Sequence, residues 1–132
     1  KLSAVRAAEA NGDRRISILS ANGGLFLPFE LIRGADGTMT GFAYPEMLTG
    51  VYRHFLVGER ERMLDLFDLY LPLVRFEAQP GLGLAARKYV LWRRGALPCP
   101  ALRAPAPTLT PDTQAEIEWL MQRLDRGLAA HS

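Results

Sequence analysis

The stretch Gly34 to Glu46, GADGTMTGFAYPE, constrains the fold of this chain more than any other. It reads as a turn, a short apolar strand over Thr38 to Ala43, and a second turn that leads into a helix at Pro45. An earlier β-branched run, Ile16 to Leu19, ends in the glycine turn Ala21-Asn22-Gly23-Gly24 and reads as a buried strand. The two runs start 22 residues apart, and Leu25 to Arg33 between them suits a short helix, with Pro28 in its first turn and Gly34 as its stop. Strand, helix and strand at that spacing make a parallel βαβ unit, whose crossover is nearly always right-handed. Two parallel strands need cover on both faces and both edges, so either further strands lie outside this chain or the strand reading fails.

The rest reads as helix. Leu2 to Ala10 is alanine-rich, carries Leu2 and Val5 at helical spacing, and runs into Asn11-Gly12. Met47, Leu48, Val51, Tyr52, Phe55 and Leu56 form an apolar stripe that begins after Pro45 and stops at Gly58. Glu59 to Ala78 is apolar around much of its circumference and contains Pro72, which predicts a buried, kinked helix. Leu82 to Arg94 is a further helix closed by Gly95. Four prolines between Ala96 and Thr110 make that segment an extended connection. Thr110-Pro111-Asp112 then opens a last amphipathic helix, with a capping hydroxyl, a first-turn proline and a first-turn acid.

Composition narrows the class of partner. With 132 residues and 48% apolar side chains the chain can bury a real core. Its 16 basic and 14 acidic groups are interspersed, so no basic block points to nucleic acid. No apolar run approaches the roughly 18 to 20 residues of a membrane span, and a single cysteine, Cys99, fits a reducing compartment. The chain is read as soluble and cytoplasmic.

Chemistry-bearing residues are few. In parallel α/β folds ligands bind at the carboxyl ends of strands, which singles out Ser20 to Gly24 and Met39 to Phe42. The glycines after the first strand either bring backbone amides close to an anion or make a tight turn, and the residues alone leave both open. Met39 and Thr40 fit an apolar core strand equally well. His54 and His131 are far apart, so no metal site is expected. Cys99 has no base beside it. Asp65 and Asp68 read as outward-facing or capping residues, Arg60-Glu61-Arg62 as a solvated face, and Arg87, Arg93 and Arg94 as a solvent-facing stripe before a contact for an anionic partner.

The order of these elements, with GADGTMTGFAYPE, Gly58-Glu59, LPLVRFE, GLAARKYVLWRRG and ALRAPAPTLT, resembles the C-terminal half of the dihydrodipicolinate synthase and N-acetylneuraminate lyase family over essentially all 132 residues. The resemblance implies an α/β fold: the C-terminal part of a (β/α)₈ TIM barrel, contributing its last two strands over residues 1–57, then a helical C-terminal extension over 58–132. It also implies class I aldolase-type chemistry, in which a lysine forms a Schiff base with pyruvate or another 2-oxo acid, including sugar acids. A homotetramer is implied, and no cofactor or metal.

By the same resemblance Met39, with Thr40 beside it, lies against the bound 2-oxo acid, and Ala21 and Asn22 line the same pocket. Lys88 matches a lysine of the extension that is not the catalytic one. The Schiff-base lysine is expected upstream. Lys1 is the single candidate by order, but the helical pattern starts at Leu2 and leaves no loop, so Lys1 is read as the start of the sixth barrel helix and serves only as a fallback. The competing expectation is a non-catalytic fragment, or a helical module for oligomerisation or interaction.

Overall fold

In the computed structural model residues 1–131 are described, and the chain divides into two units, Lys1–Phe67 and Asp68–Ser132. The first unit begins with α1 (Leu2–Ala10), β1 (Leu19–Ser20), a single 3₁₀ turn (Asn22–Gly24), α2 (Leu27–Ile32), β2 (Gly37–Thr38) and α3 (Pro45–Leu56). The division falls within α4 (Arg60–Glu77), and α5 (Gly83–Arg93) and α6 (Pro111–His131) follow.

β1 and β2 pair in parallel, with Leu19 opposite Gly37 and Ser20 opposite Thr38. The βαβ reading therefore holds, but both strands are shorter than the apolar runs that signalled them. Ile16 to Ile18 lead into β1 without joining it, and Ile16 is half exposed, so the expectation of a buried strand over Ile16 to Leu19 is corrected. Beyond Thr38 the run Phe42-Ala43-Tyr44 is buried outside any strand. A short apolar run signals burial more securely than it signals strand.

Within the first unit α2 and α3 supply the core: Leu27, Leu31, Met47, Leu48 and Val51 are buried with Phe42, Ala43 and Tyr44. Pro28 and Pro45 sit in the first turns of their helices, where the missing N–H costs nothing. Gly50 lets α3 and α4 approach, since a Cβ there would stand 2.5 Å from Leu66 Cδ2.

In the second unit Tyr70, Leu73, Val74, Ala85, Ala86, Tyr89, Val90, Ile117 and Leu124 are buried. Pro72 lies inside α4 as the sequence predicts. The Thr110 hydroxyl accepts the Thr113 N–H at 3.2 Å and caps α6, so the Thr-Pro-Asp start forms as expected. Arg87 is not the solvated residue its helix pattern predicts. Its Nε donates at 2.9 Å to the carboxylate of Glu77, whose side chain is 2% exposed. Arg93 pairs with Glu118, which also accepts the Tyr89 hydroxyl at 2.5 Å. Burial first, and Glu118 second, push the Tyr89 phenol above its ordinary pKa. Lys88 donates to the Ala101 carbonyl and ties the proline-rich segment to α5.

Candidate functional site

The expected site residues fall at the carboxyl ends of the two strands. Side chains alternate across a strand, so Leu19 and Gly37 share one face while Ser20 and Thr38 share the other. The Met39 N–H donates to the Ser20 carbonyl at 2.9 Å and Ala21 keeps an extended backbone, which returns Ala21 and Met39 to the face of Leu19. Exposure agrees: Leu19 is 53% and Met39 71% exposed, whereas Ser20 is 5% exposed. An open apolar face thus runs from Leu19 to Met39, and Ala21 and Asn22 lie exposed at its end.

Thr40 is half-buried, and its hydroxyl accepts the Gly23 N–H at 2.7 Å. The turn itself closes with two further bonds, Gly24 N–H to the Ala21 carbonyl and Leu25 N–H to the Asn22 carbonyl, both 3.1 Å. The amides of Gly23, Gly24 and Leu25 are therefore all engaged, and α2 has six residues and starts only at Leu27. Of the two readings of the glycines, the structure favours the tight turn over the anion cradle.

Lys1 lies immediately ahead of α1, is exposed, and accepts the Ala4 and Val5 N–H groups at its carbonyl, 3.1 Å each. It is joined to the helix start with no intervening loop. His54 is paired with Glu59 across the Gly58 turn, Nδ1 to Oε2 at 2.7 Å. Among the described residues no group of three or more His, Cys, Asp or Glu side chains could hold a metal ion. A cavity of about 600 Å³ lies in the second unit, lined by Tyr89, Trp92, Leu102, Pro107 and Leu109 among others. The Tyr89 hydroxyl there is already bonded to Glu118.

Sequence reasoning missed an ionic network at the opposite, amino ends of the strands. Arg6 donates to Asp36 at 2.6 Å, to the Gly34 carbonyl at 2.7 Å and to the Ile16 carbonyl at 2.9 Å, and pairs with Glu9 on its own helix. Asp36 also binds Arg15 and accepts the Ile18 N–H at 2.7 Å. Arg15, and then the Ile18 amide, hold the Asp36 carboxyl well below the ordinary carboxylate range. The Ile16 amide and then Arg6 lower Glu9 in the same direction. Tyr52 of α3 donates to the Asp36 carbonyl at 3.1 Å. The available signal was an acid between two glycines just ahead of one strand and the Arg14-Arg15 pair just ahead of the other.

A parallel βαβ unit with an open apolar face, and a pinned polar turn at the strand carboxyl ends, defines an α/β protein, the class of fold in which ligands bind at that edge. Comparison with known proteins carries the assignment further. No family model matches the chain. It is similar to the L-2-keto-3-deoxyarabonate dehydratase of Azospirillum brasilense, 29% identical over 96 residues, which cover 73% of this chain and 31% of that protein. The crystal structure of a dihydrodipicolinate synthase from Rhodopseudomonas palustris matches with a TM-score of 0.89 and 46% identity, over 92% of this chain and 41% of that one. A dihydrodipicolinate synthase from Oceanobacillus iheyensis shares the fold, with a TM-score of 0.79 and 20% identity over 95% of this chain and 42% of that one. This chain belongs to the dihydrodipicolinate synthase and N-acetylneuraminate lyase family. It spans about a third of the length of the curated relative and about two fifths of the solved ones.

Proposed function

We propose that this chain is the C-terminal part of a class I aldolase-type lyase or dehydratase that acts through a lysine Schiff base on pyruvate or another 2-oxo acid, sugar acids included. The observation that carries the reading is the exposed Leu19 to Met39 face on a parallel pair. Such a face is what the last two strands of a (β/α)₈ barrel present to the barrel interior. The likeness to a keto-deoxy-sugar-acid dehydratase and to dihydrodipicolinate synthases supports the same chemistry.

In this reading residues 1–57 complete the barrel and 58–132 form the helical extension, in a homotetramer acting in the cytoplasm. Met39 gives the 2-oxo acid an apolar wall with Thr40 beside it, and Ala21 and Asn22 lie where the rest of the substrate emerges. The nucleophile is a lysine on an upstream strand. Its neutral amine attacks the ketone carbonyl, water leaves, and the resulting iminium withdraws electrons from the adjacent carbon, so that a bond there can break or form. Lys1, joined directly to α1, is the fallback for that role.

Borohydride trapping tests this. Reduction of the intact protein in the presence of pyruvate is expected to add one pyruvate-derived group to a lysine upstream of Lys1. Absence of any adduct refutes the Schiff-base reading, and an adduct on Lys1 overturns the placement of the nucleophile upstream.

A further inference from the structure

The turn after β1 is an uncommon piece of backbone. Asn22, Gly23 and Gly24 have φ of 55°, 67° and 81°, and among the described residues Asn22 is the one non-glycine with positive φ. Asparagine tolerates the left-handed region better than most residues, but Gly23 is equally at ease on either side of φ zero. The peptide plane of Gly23 is therefore where this turn flips unless something outside it selects one orientation.

Two contacts from residues beyond β2 hold the turn. Gly24 is pressed beneath α3, where a Cβ would stand 2.6 Å from Leu48 Cδ2. On the other side the Thr40 hydroxyl accepts the Gly23 N–H at 2.7 Å. Thr40 is itself fixed, because Met39 and Thr38 immediately before it are bonded to the Ser20 carbonyl through the Met39 N–H (2.9 Å) and the Thr38 hydroxyl (3.1 Å). Asn22 immediately precedes the two held glycines and is exposed beside Ala21.

We propose that Thr40 is a positioning residue: its hydroxyl fixes the Gly23 peptide, and through it sets the orientation of Asn22 at the edge of the 2-oxo acid site. The part concerning Asn22 rests on the proposed function; the part concerning the turn does not. A hydroxyl that contacted only the substrate would leave the ligand-free turn indifferent to its removal, which separates the two roles.

The test compares Thr40→Val, which keeps the branched shape and removes the hydroxyl, with Thr40→Ser, which restores it. Hydrogen exchange of the peptide covering residues 19–26 is measured in the intact protein without ligand, and the pyruvate dependence of borohydride trapping is measured on the same samples. Thr40→Val is expected to speed exchange at Gly23 by roughly fivefold and to raise the half-saturating pyruvate concentration by a similar factor, the scale set by one hydrogen bond. Thr40→Ser is expected to return both to wild-type values. Unchanged ligand-free exchange in Thr40→Val overturns the proposal, whatever happens to affinity. Faster exchange with unchanged pyruvate dependence overturns the Asn22 part. Should the wild-type protein trap no pyruvate, the Asn22 part falls with the proposed function, and the exchange result alone decides whether Thr40 holds the turn.

Discussion

Gly83 opens α5 at a point where the backbone of α4 comes unusually close. A Cβ at Gly83 would stand 2.0 Å from the Glu77 carbonyl oxygen and 3.1 Å from its carbon. Even a weak C–H···O contact needs about 3.3 Å, so alanine requires roughly 1.3 Å of movement. Neither atom belongs to a side chain that can rotate aside, and the displacement must be taken up by the end of α4. Glu77 also carries the buried carboxylate held by Arg87 at 2.9 Å, so the same displacement loosens that pair. Overpacking costs about 1–3 kcal/mol. Partial loss of the ion pair adds about 1–2 kcal/mol, well below the cost of breaking a fully buried pair because Arg87 is 29% exposed. The helix preference for alanine returns at most about 1 kcal/mol. Gly83→Ala is therefore expected to destabilise by about 1–4 kcal/mol, and the chain supplies its own reporter. Both tryptophans, Trp92 and Trp119, lie in the unit Asp68–Ser132, so their fluorescence during guanidinium unfolding follows that unit. Gly81→Ala is the control: its φ is 78° with open space around the added Cβ, so it carries only the left-handed cost of about 1–2 kcal/mol. A Gly83→Ala midpoint equal to or above wild type refutes the argument.

Three further outcomes are expected. Asp36 is a carboxylate with a depressed pKa, so its contribution is complete above the ordinary carboxylate range near pH 4 and is lost as the pH falls toward its lowered value. Exchange protection of the amides of residues 18 and 36, which bond the Asp36 carboxylate and the Ile18 carbonyl, should decline on acidification in wild type, and Asp36→Asn should show low protection at neutral pH with little further acid dependence; an acid response equal to wild type in the variant contradicts this. Arg87→Met leaves the Glu77 carboxylate buried without its guanidinium and should cost about 2–3 kcal/mol by tryptophan fluorescence, whereas Arg87→Met with Glu77→Gln should recover at least part of the loss. A double variant less stable than Arg87→Met would show that the carboxylate is held chiefly by something other than Arg87. Met39→Asp places a negative charge on the proposed 2-oxo acid wall and should raise the pyruvate concentration needed for trapping by roughly fivefold or more; unchanged dependence removes Met39 from the site.

The parts of this fold that were legible in the sequence are those with local chemistry. The starts of α3 and α6 are written in Pro45 and in Thr110-Pro111-Asp112, and the ends of α3 and α5 fall close to Gly58 and Gly95. Each of those signals acts within about one helical turn of its own position. The strands were misplaced because a strand exists only through its partner, and Phe42-Ala43-Tyr44 is as apolar as any strand while lying outside the paired register. Arg87 was misread for a related reason. Its partner Glu77 is ten residues back on another helix, and a helical pattern reports which face a residue occupies without saying what meets it. The Thr40 hydroxyl was equally hidden, since its bond to Gly23 crosses a whole βα segment.

The two ends of the strand pair are built on different principles. At the amino ends Arg6, Arg15 and Asp36 join α1, the approach to β1 and the approach to β2 through charged hydrogen bonds, with Tyr52 of α3 bonded to the Asp36 carbonyl. Charged hydrogen bonds of this kind are short and directional, and several converging on one carboxylate resist displacement together. At the carboxyl ends the bonds described are neutral, from the Gly23 N–H to Thr40 and from the Met39 N–H and the Thr38 hydroxyl to the Ser20 carbonyl, beside two exposed residues and an uncovered apolar face. Rigidity placed at one end allows the other to vary its loops without losing strand register, which is the division of labour that α/β folds use to separate stability from binding. A disturbance at Asp36 should therefore spread through the strand register of the unit, whereas one at Thr40 should stay within the turn. Exchange maps of Asp36→Asn and Thr40→Val that show the same extent of change would mean that the two ends are mechanically coupled, and that the turn owes its conformation to the ionic network rather than to Thr40.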